Sequence, residues 1–284
     1  MAELHRAVII GAGRIGAGWN WMATPFVYTH ADAYRAMGHR VELAAFVETD
    51  EARAKAAEAK YGVHVYSKIE EAIGVEEADI VSVCVQPKDQ LEVMGKIPAS
   101  VKGIWCEKPW MGFETTKPVQ VNYIRRFERV HIKMKSLMES GKIGKPLTLV
   151  VQAKADESTA CHFADLARFW GIPVEMVQYV GTGGMEYVTT TYAVMCERGL
   201  ISFSEGGAHY AVYGMKDSKV FPGIKVAGGL LASGDWTPAF MEAALKNLLD
   251  VVDDESGSEK LLLSPPDGWV NSYTERIMRR LSNG

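Results

Sequence analysis

The sequence predicts an α/β protein, with an N-terminal Rossmann dinucleotide-binding domain and a C-terminal α+β domain built on a predominantly antiparallel, open sheet. Three observations carry this. Gly11, Gly13 and Gly16 form a G-x-G-x-x-G turn directly after the apolar run "RAVII". Strand-like and helix-like segments then alternate, as in a doubly wound parallel sheet. Further on, strand-like runs follow one another with turn residues between them, which predicts antiparallel pairing. The change of pattern sets the domains at 1–124 and 125–284.

In chain order, "RAVII" is the first strand. "TPFVYTHADAYRAMG" predicts a helix with Thr24 as N-cap, Pro25 at the first helical position and Gly38 just past the end. "VELAAFV" is the second strand, and "TDEARAKAAEAKYG" a helix with an acidic start and a glycine stop. A short helix "IEEAIG" and a buried-type strand "ADIVSVCV" follow, then strands at "GIWCEKPW" and "VQVNYIRRF". "ERVHIKMKSLMESGKIG" is a helix. Beyond it, "PLTLVVQAKA", "VEMVQYVGT", "EYVTTTYAVMC", "LISFSEGG" and "HYAVYGMK" are strands, interrupted by the helix "CHFADLARFWG". The helices "TPAFMEAALKNLLDVVD" and "SYTERIMRRLSN" close the second domain.

The 284 residues are 48% hydrophobic and 23% charged, with a net charge of −4. That is ordinary globular composition, with no electrostatic reason to expect nucleic acid or a membrane surface as partner. Apolar runs are strand-sized, and no signal-peptide core precedes the first strand. Cys84, Cys106, Cys161 and Cys196 form neither a CxxC pair nor a disulfide framework. The expectation is a cytoplasmic protein with buried thiols and no metal site.

Glycine is needed in the first turn for tight geometry, close approach of a pyrophosphate and helix packing, with Arg14 and Ile15 completing the turn. The following helix N-terminus favours phosphate. Glu48 ends the second strand, where a carboxylate can accept the adenosine ribose hydroxyls. It lies later than usual because the segment after Gly16 is long. A carboxylate there repels a 2′-phosphate, and neither Thr49 nor Asp50 compensates with positive charge. NAD(H) is therefore expected over NADP(H), which is the alternative. Lys108, in "CEKPW", ends a buried strand near the crevice where such sheets bind ligands, and a partly desolvated lysine can take part in proton transfer.

The G-x-G-x-x-G turn, "CEKPW", "VNYIRRF" and "ACHFADLARFWG", in this order, resemble the glucose–fructose oxidoreductase and inositol dehydrogenase (Gfo/Idh/MocA) family over nearly the whole chain. The resemblance implies an NAD(P)-dependent oxidoreductase acting on a CH–OH group of a sugar, cyclitol or nucleotide sugar. It implies a homodimer or homotetramer formed through the C-terminal sheet. It makes Lys108 catalytic and places Val85, Gln86, Glu107, Lys108 and Pro109 at the cofactor. It also makes His162 the acid/base group, with Asp165 orienting it; three residues apart, the two share one face of a helix.

The segment "AGWNWMATPFVY" resembles an insertion between turn and helix. Trp19, Trp21 and Tyr28 are candidates for stacking on substrate or cofactor, with packing at a hydrophobic edge as the alternative. Asn122, Tyr123 and Arg125 are candidates for substrate contact, a guanidinium suiting a phosphate or carboxylate. The chain departs from the family in three places. Ser158 stands where some relatives carry an aspartate, Val85 and Gln86 replace a Thr-Pro pair, and "MGFETTKP" is too short for a crossover helix. These departures keep open a cofactor-binding sensor or assembly protein without turnover, or a reductase of an imine or tetrapyrrole.

Overall fold

The computed structural model of the chain describes residues 4–20, 26–182, 190–220, 222–235, 239–253 and 274–279. The chain divides into two compact units, residues 1–127 with 239–268, and residues 128–238 with 269–284.

The first unit begins with β1 (His5–Ile10), α1 (Arg14–Ala17), α2 (His30–Ala36), β2 (Val41–Val47) and α3 (Glu51–Tyr61). It continues with β3 (His64–Tyr66), α4 (Ile69–Val75), β4 (Ile80–Val83), α5 (Pro87–Gly95), β5 (Gly103–Cys106) and β6 (Val119–Val121). The strands form one parallel sheet in the order β3-β2-β1-β4-β5-β6. This is the doubly wound order whose direction reverses between β1 and β4, so a ligand crevice is expected at the carboxyl ends of those two strands. β4 and β5 are buried at every position, which explains why they are apolar apart from Ser82.

The helix expected from Thr24 starts later. Thr24 and Pro25 lie outside the described residues, and α2 begins at His30. Thr29 is its N-cap, in extended conformation, and its side chain accepts the Asp32 N–H. α3 is capped by Asp50, which accepts the Arg53 N–H at 2.9 Å. β3 and α5 have no counterpart in the sequence reading. "VQVNYIRRF" is a three-residue strand followed by a 3-10 turn at Ile124–Phe127.

The second unit contains α6 (Arg129–Glu139), β7 (Pro146–Lys154), α7 (Glu157–Phe169), β8 (Val177–Thr182), β9 (Thr191–Cys196), β10 (Gly199–Ser204), β11 (His209–Asp217) and β12 (Lys225–Asp235). The sheet order is β12-β11-β10-β9-β7-β8. Among the described strands of this sheet, β7 and β8 pair in parallel, with α7 as their crossover, and the other pairs are antiparallel. α7 packs on β7 and buries Phe163, Leu166 and Phe169. Elsewhere the strands leave Leu147, Val180, Met195, Leu230 and Leu231 exposed. Residues 274–279 are helical.

α8 (Phe240–Val252) follows β12 in sequence yet packs in the first unit, against α2, β5, β6 and the 3-10 turn at Ile124–Phe127. This corrects the domain boundary read from the sequence, which places the helix within 125–284. The reason lies in the β5–β6 connection, whose residues 107–118 contain no helix. α8 covers that part of the sheet instead. It buries Phe240, Met241, Ala244, Leu245, Leu248 and Leu249. A fully buried leucine contributes about 1.5–3 kcal/mol. Gly103 in β5 makes the close approach feasible, since a Cβ there would lie 2.6 Å from Val252 Cγ2 and 3.3 Å from Leu248 Cδ1.

Polar locks hold the middle and the C-terminal end of α8. Gln120 on β6 donates to the Ala244 carbonyl (2.5 Å) and accepts from Asn247 (2.7 Å). Arg40 pairs with Asp250 (2.5 Å) and Asp253 (2.7 Å). His5 bridges Asp79 (2.7 Å) and Asp253 (2.6 Å). Its hydrogen bond to Asp79 raises its pKa above the ordinary value; burial opposes this and Asp253 assists it.

Candidate active site

The three glycines of the first turn are constrained differently. Gly11 has φ +98°, and a Cβ there would meet the Cys84 carbonyl oxygen at 2.6 Å. A Cβ on Gly16 would overlap the Gly11 carbonyl oxygen. At Gly13 a Cβ would meet nothing within 4 Å, so this position faces open space where a ligand backbone can approach. α1 is only four residues long and ends at Gly18, which is left-handed with φ +78°. A single turn has little macrodipole. The anion-binding capacity expected of a long helix is therefore reduced to the amides of the turn itself.

Beside the turn is a cavity of about 250 Å³, lined by Ala12, Ala17, Gly18, Trp19, Asn20, Arg53, Ala56, Ala57 and Lys60. Trp19 thus lies on the α3 side of the turn. Trp21 lies outside the described residues. Tyr28 packs edge-on against Phe240 of α8, with ring centroids 5.4 Å apart.

Glu48 is half-buried as a residue, but its side chain is only 6% exposed and is engaged on both oxygens. Oε2 accepts from Ala12 N (2.9 Å); Oε1 accepts from Thr49 N and Asp50 N (both 2.9 Å) and from Arg53 Nη2 (3.2 Å). A carboxylate offers about four acceptor positions, so little capacity remains for ribose hydroxyls. The sequence reading looks for compensating positive charge at Thr49 and Asp50. The structure supplies it one helical turn later, at Arg53. Val85 lies near Gly11, whose Cβ would be 3.5 Å from Val85 Cγ1. Gln86 is the N-cap position of α5, with Pro87 at its first turn.

The E-K-P residues follow β5 at its carboxyl end, and the Lys108–Pro109 peptide is cis. Lys108 and Pro109 are half-buried, while Glu107 is buried. Glu107 Oε1 receives His30 Nε2 (3.1 Å) and Asn122 Nδ2 (2.6 Å). Its Oε2 receives the Lys108 backbone N–H (3.3 Å), and its carbonyl accepts Gln90 Nε2 (2.8 Å). Burial by itself would raise the Glu107 pKa, but His30, then Lys108 and Asn122, hold the carboxyl below its ordinary value. Glu107 is thus ionised at neutral pH inside the protein. Behind His30, Nδ1 lies 2.9 Å from Ser82 Oγ, which lies 2.8 Å from Tyr34 OH. Burial pushes the Tyr34 phenol far up, so it remains a donor. Burial likewise raises the Cys84 and Cys106 thiols, which remain neutral and are not joined in disulfides.

Three expected substrate contacts are placed differently. Asn122 is buried and bonded to Glu107 and to Trp105 Nε1 (3.3 Å). Tyr123 is buried, its hydroxyl accepting the Trp110 N–H at 3.4 Å. Arg125 is 2% exposed. All three belong to the interior of the fold rather than to an open substrate surface. Sequence reasoning missed His30, Ser82, Tyr34, Gln90 and Arg53 as site residues. Of these, His30 carried a signal, in the "THADAY" run.

In the second unit α7 carries His162 and Asp165, and Asp156 caps it by accepting Thr159 N (2.8 Å). His162 is half-buried and Asp165 fully buried. Another histidine, His131, is fully buried between Glu128 (2.6 Å) and the Tyr192 hydroxyl (2.6 Å) and belongs to the core. Among the described residues, no group of three or more His, Cys, Asp or Glu is arranged to hold a metal ion. No described helix is long and apolar enough to cross a membrane.

Known proteins resemble this chain in part of the first unit. Residues 5–121 match the model of the oxidoreductase family with an NAD-binding Rossmann fold, Gfo/Idh/MocA. Residues 5–121 are therefore similar to the dinucleotide-binding domain of that family. An inositol 2-dehydrogenase of Corynebacterium glutamicum is 30% identical over 165 residues, covering 52% of this chain and 45% of that protein. The chain therefore aligns with less than half the length of this curated relative. Two solved structures share the fold over nearly the whole chain. The WlbA dehydrogenase of Bordetella pertussis, in complex with NADH and UDP-GlcNAcA, has a TM-score of 0.67 at 13% identity, covering 98% of this chain and 97% of that one. A super-repressor mutant of Gal80p from Saccharomyces cerevisiae has 0.72 at 10% identity, covering 99% and 97%. The turn geometry fits a dinucleotide: open backbone at Gly13, close packing at Gly11 and Gly16, and an adjoining cavity.

Proposed function

We propose that the protein is an NAD(H)-dependent oxidoreductase that moves hydride to or from a secondary alcohol carbon of a sugar, cyclitol or nucleotide sugar. The observation that carries this is the E-K-P turn and the glycine turn at the carboxyl ends of one parallel sheet, with Glu107 held ionised behind Lys108. When bound, the dinucleotide supplies the nicotinamide that accepts or donates the hydride. Lys108 donates a hydrogen bond to the substrate oxygen and stabilises the charge that develops there. His162, neutral, takes the hydroxyl proton in oxidation and returns it in reduction. Asp165 orients His162. Gly11, Gly13, Arg14, Ile15 and Gly16 hold the pyrophosphate, Glu48 and Thr49 border the adenosine ribose, and Val85 and Gln86 lie at the cofactor. The Glu48 carboxylate favours NAD(H), and Arg53 is the group through which the 2′-phosphate of NADP(H) would be tolerated. The exposed leucines of the second sheet support a homo-oligomer, and the small net charge of the chain supports a cytoplasmic, small-molecule role.

The reading is tested by absorbance at 340 nm with NAD⁺ and a panel of myo-inositol, aldoses and UDP-sugars. Turnover that falls at least about 100-fold in Lys108→Ala and in His162→Ala, with cofactor affinity kept, supports it. Full activity in both variants refutes the assignment. The second reading, a cofactor-binding protein without turnover, is favoured by Ser158 and by the helix-free β5–β6 connection. Tight cofactor binding with no turnover on the whole panel would select it.

A further inference from the structure

The family resemblance assigns roles to Lys108 and Glu107 and none to His30, Ser82 and Tyr34 behind them. Four side chains are linked in series through the interior of the first unit: Tyr34 OH to Ser82 Oγ (2.8 Å), Ser82 Oγ to His30 Nδ1 (2.9 Å), His30 Nε2 to Glu107 Oε1 (3.1 Å), and Glu107 Oε2 to the Lys108 backbone N–H (3.3 Å). They come from α2, β4 and the end of β5. Tyr34, Ser82 and His30 are fully buried, and His30 also packs against Trp105 with ring centroids 3.8 Å apart.

Chemistry fixes the direction of the bond to Glu107. An ionised Glu107 only accepts, so His30 Nε2 carries a proton and donates. His30 Nδ1 continues the series to the Ser82 hydroxyl, and Ser82 to the Tyr34 hydroxyl. Bonds in such a series polarise one another. The donor count at Oε1 is completed by Asn122.

We infer that His30 is a positioning residue for Lys108: through Glu107 it fixes the backbone amide of Lys108 and keeps an anionic neighbour beside the ammonium. The inference rests on the proposed catalytic role of Lys108 and adds its support structure. Without the His30 donor, Glu107 sits in a low-dielectric pocket with one fewer stabilising bond. It then takes up a proton or turns away. Either change removes the anion from Lys108 and loosens its backbone anchor. Both act in the same direction on the chemistry of the amine, making it more reactive toward electrophiles.

The test needs no substrate. Reductive methylation with formaldehyde and cyanoborohydride is timed residue by residue by peptide mass spectrometry, on the full chain at pH 8, with and without saturating NADH. The expected result is Lys108 methylation at least about threefold faster in His30→Phe than in wild type, with Lys55 and Lys96 unchanged. His30→Gln, which keeps a donor for Glu107, should return the rate to within about twofold of wild type. A purely structural role would loosen distant lysines as well and would not be rescued by glutamine. If His30→Phe fails to fold, Ser82→Ala removes one hydroxyl from the same series and should also raise the Lys108 rate. Equal Lys108 rates in wild type, His30→Phe and Ser82→Ala would overturn the inference. NADH protection of Lys108 in wild type reports separately on the functional reading: its absence would sink that reading while leaving the His30 comparison to decide this one.

Discussion

Loosening α8 is the perturbation that tests the architecture most sharply. The helix is distant in sequence from the sheet it covers, yet Leu248 is fully buried there and Gly103 leaves no room for a methyl group beside Val252. Leu248→Ala removes buried apolar volume and should cost about 2–5 kcal/mol. Total stabilities of about 5–15 kcal/mol make that a large fraction, and a Tm loss of about 5–15 °C is expected for a unit of this size. Gly103→Ala acts from the other side. Its Cβ, 2.6 Å from Val252 Cγ2, forces overpacking that costs about 1–3 kcal/mol. Val252→Ala removes the opposing methyl, so the double variant should be more stable than the sum of the singles predicts. Hydrogen exchange read by mass spectrometry supplies the location. Leu248→Ala should reduce protection in residues 103–106 and 119–121 together with α8. Loss of protection confined to residues 146–217, with β5 and β6 unchanged, would refute the placement of α8 over the sheet.

Further outcomes follow from the same geometry. The His5 lock carries a pH signature. His5 has a raised pKa, so its contribution is complete below about 6.5 and is lost as pH rises through the higher folded value. Burial pushes the Asp79 and Asp253 carboxyls up, but the bonds from His5, Arg6 and Arg40 outweigh it and leave both lowered, so their contributions are lost only as pH falls through their folded values. Urea titrations of wild type should therefore show greater stability at pH 6 than at pH 8, a difference that His5→Gln should reduce. Arg53→Ala removes the cation beside Glu48 and should weaken NADP(H) at least about tenfold relative to NAD(H), about 1.4 kcal/mol, read as a ratio of Kd values. An unchanged ratio would show that Arg53 serves Glu48 alone. Leu230→Lys on β12 should shift the oligomer toward smaller species in light scattering, since Leu230 is 56% exposed and a charge there costs little in a monomer.

The parallel sheet was legible because β1, β2, β4 and β5 are largely apolar runs bounded by glycine and polar stops. The elements that escaped have weak local signals. β3 is three residues long, α5 opens on Pro87 with a charged first turn, and β12 contains Gly228, Gly229 and Gly234 without a clean alternation. α8 is legible as a helix but not as a member of the first unit, because nothing local tells a helix which sheet it covers. The missing crossover after Lys108 and the bare Gly103 are both visible in the sequence, and together they point to a helix supplied from elsewhere. In the site, the glycines and Lys108 were legible as motifs. Asn122, Tyr123 and Arg125 were misplaced because a polar side chain after a strand end reads as surface, whereas here all three are buried. The partner of Glu107 was invisible because His30 comes from a helix 77 positions away.

The central claim is hydride transfer by a bound dinucleotide assisted by Lys108. Its most direct test is a single-turnover measurement: the protein saturated with NAD⁺, mixed with each alcohol of the panel, and followed at 340 nm for wild type and Lys108→Ala. Reduced nicotinamide formed by wild type on at least one alcohol, and slowed at least about 100-fold by the substitution, is the predicted result. Equal rates in the two proteins, or saturable NAD⁺ binding with no reduction by any alcohol, would contradict it.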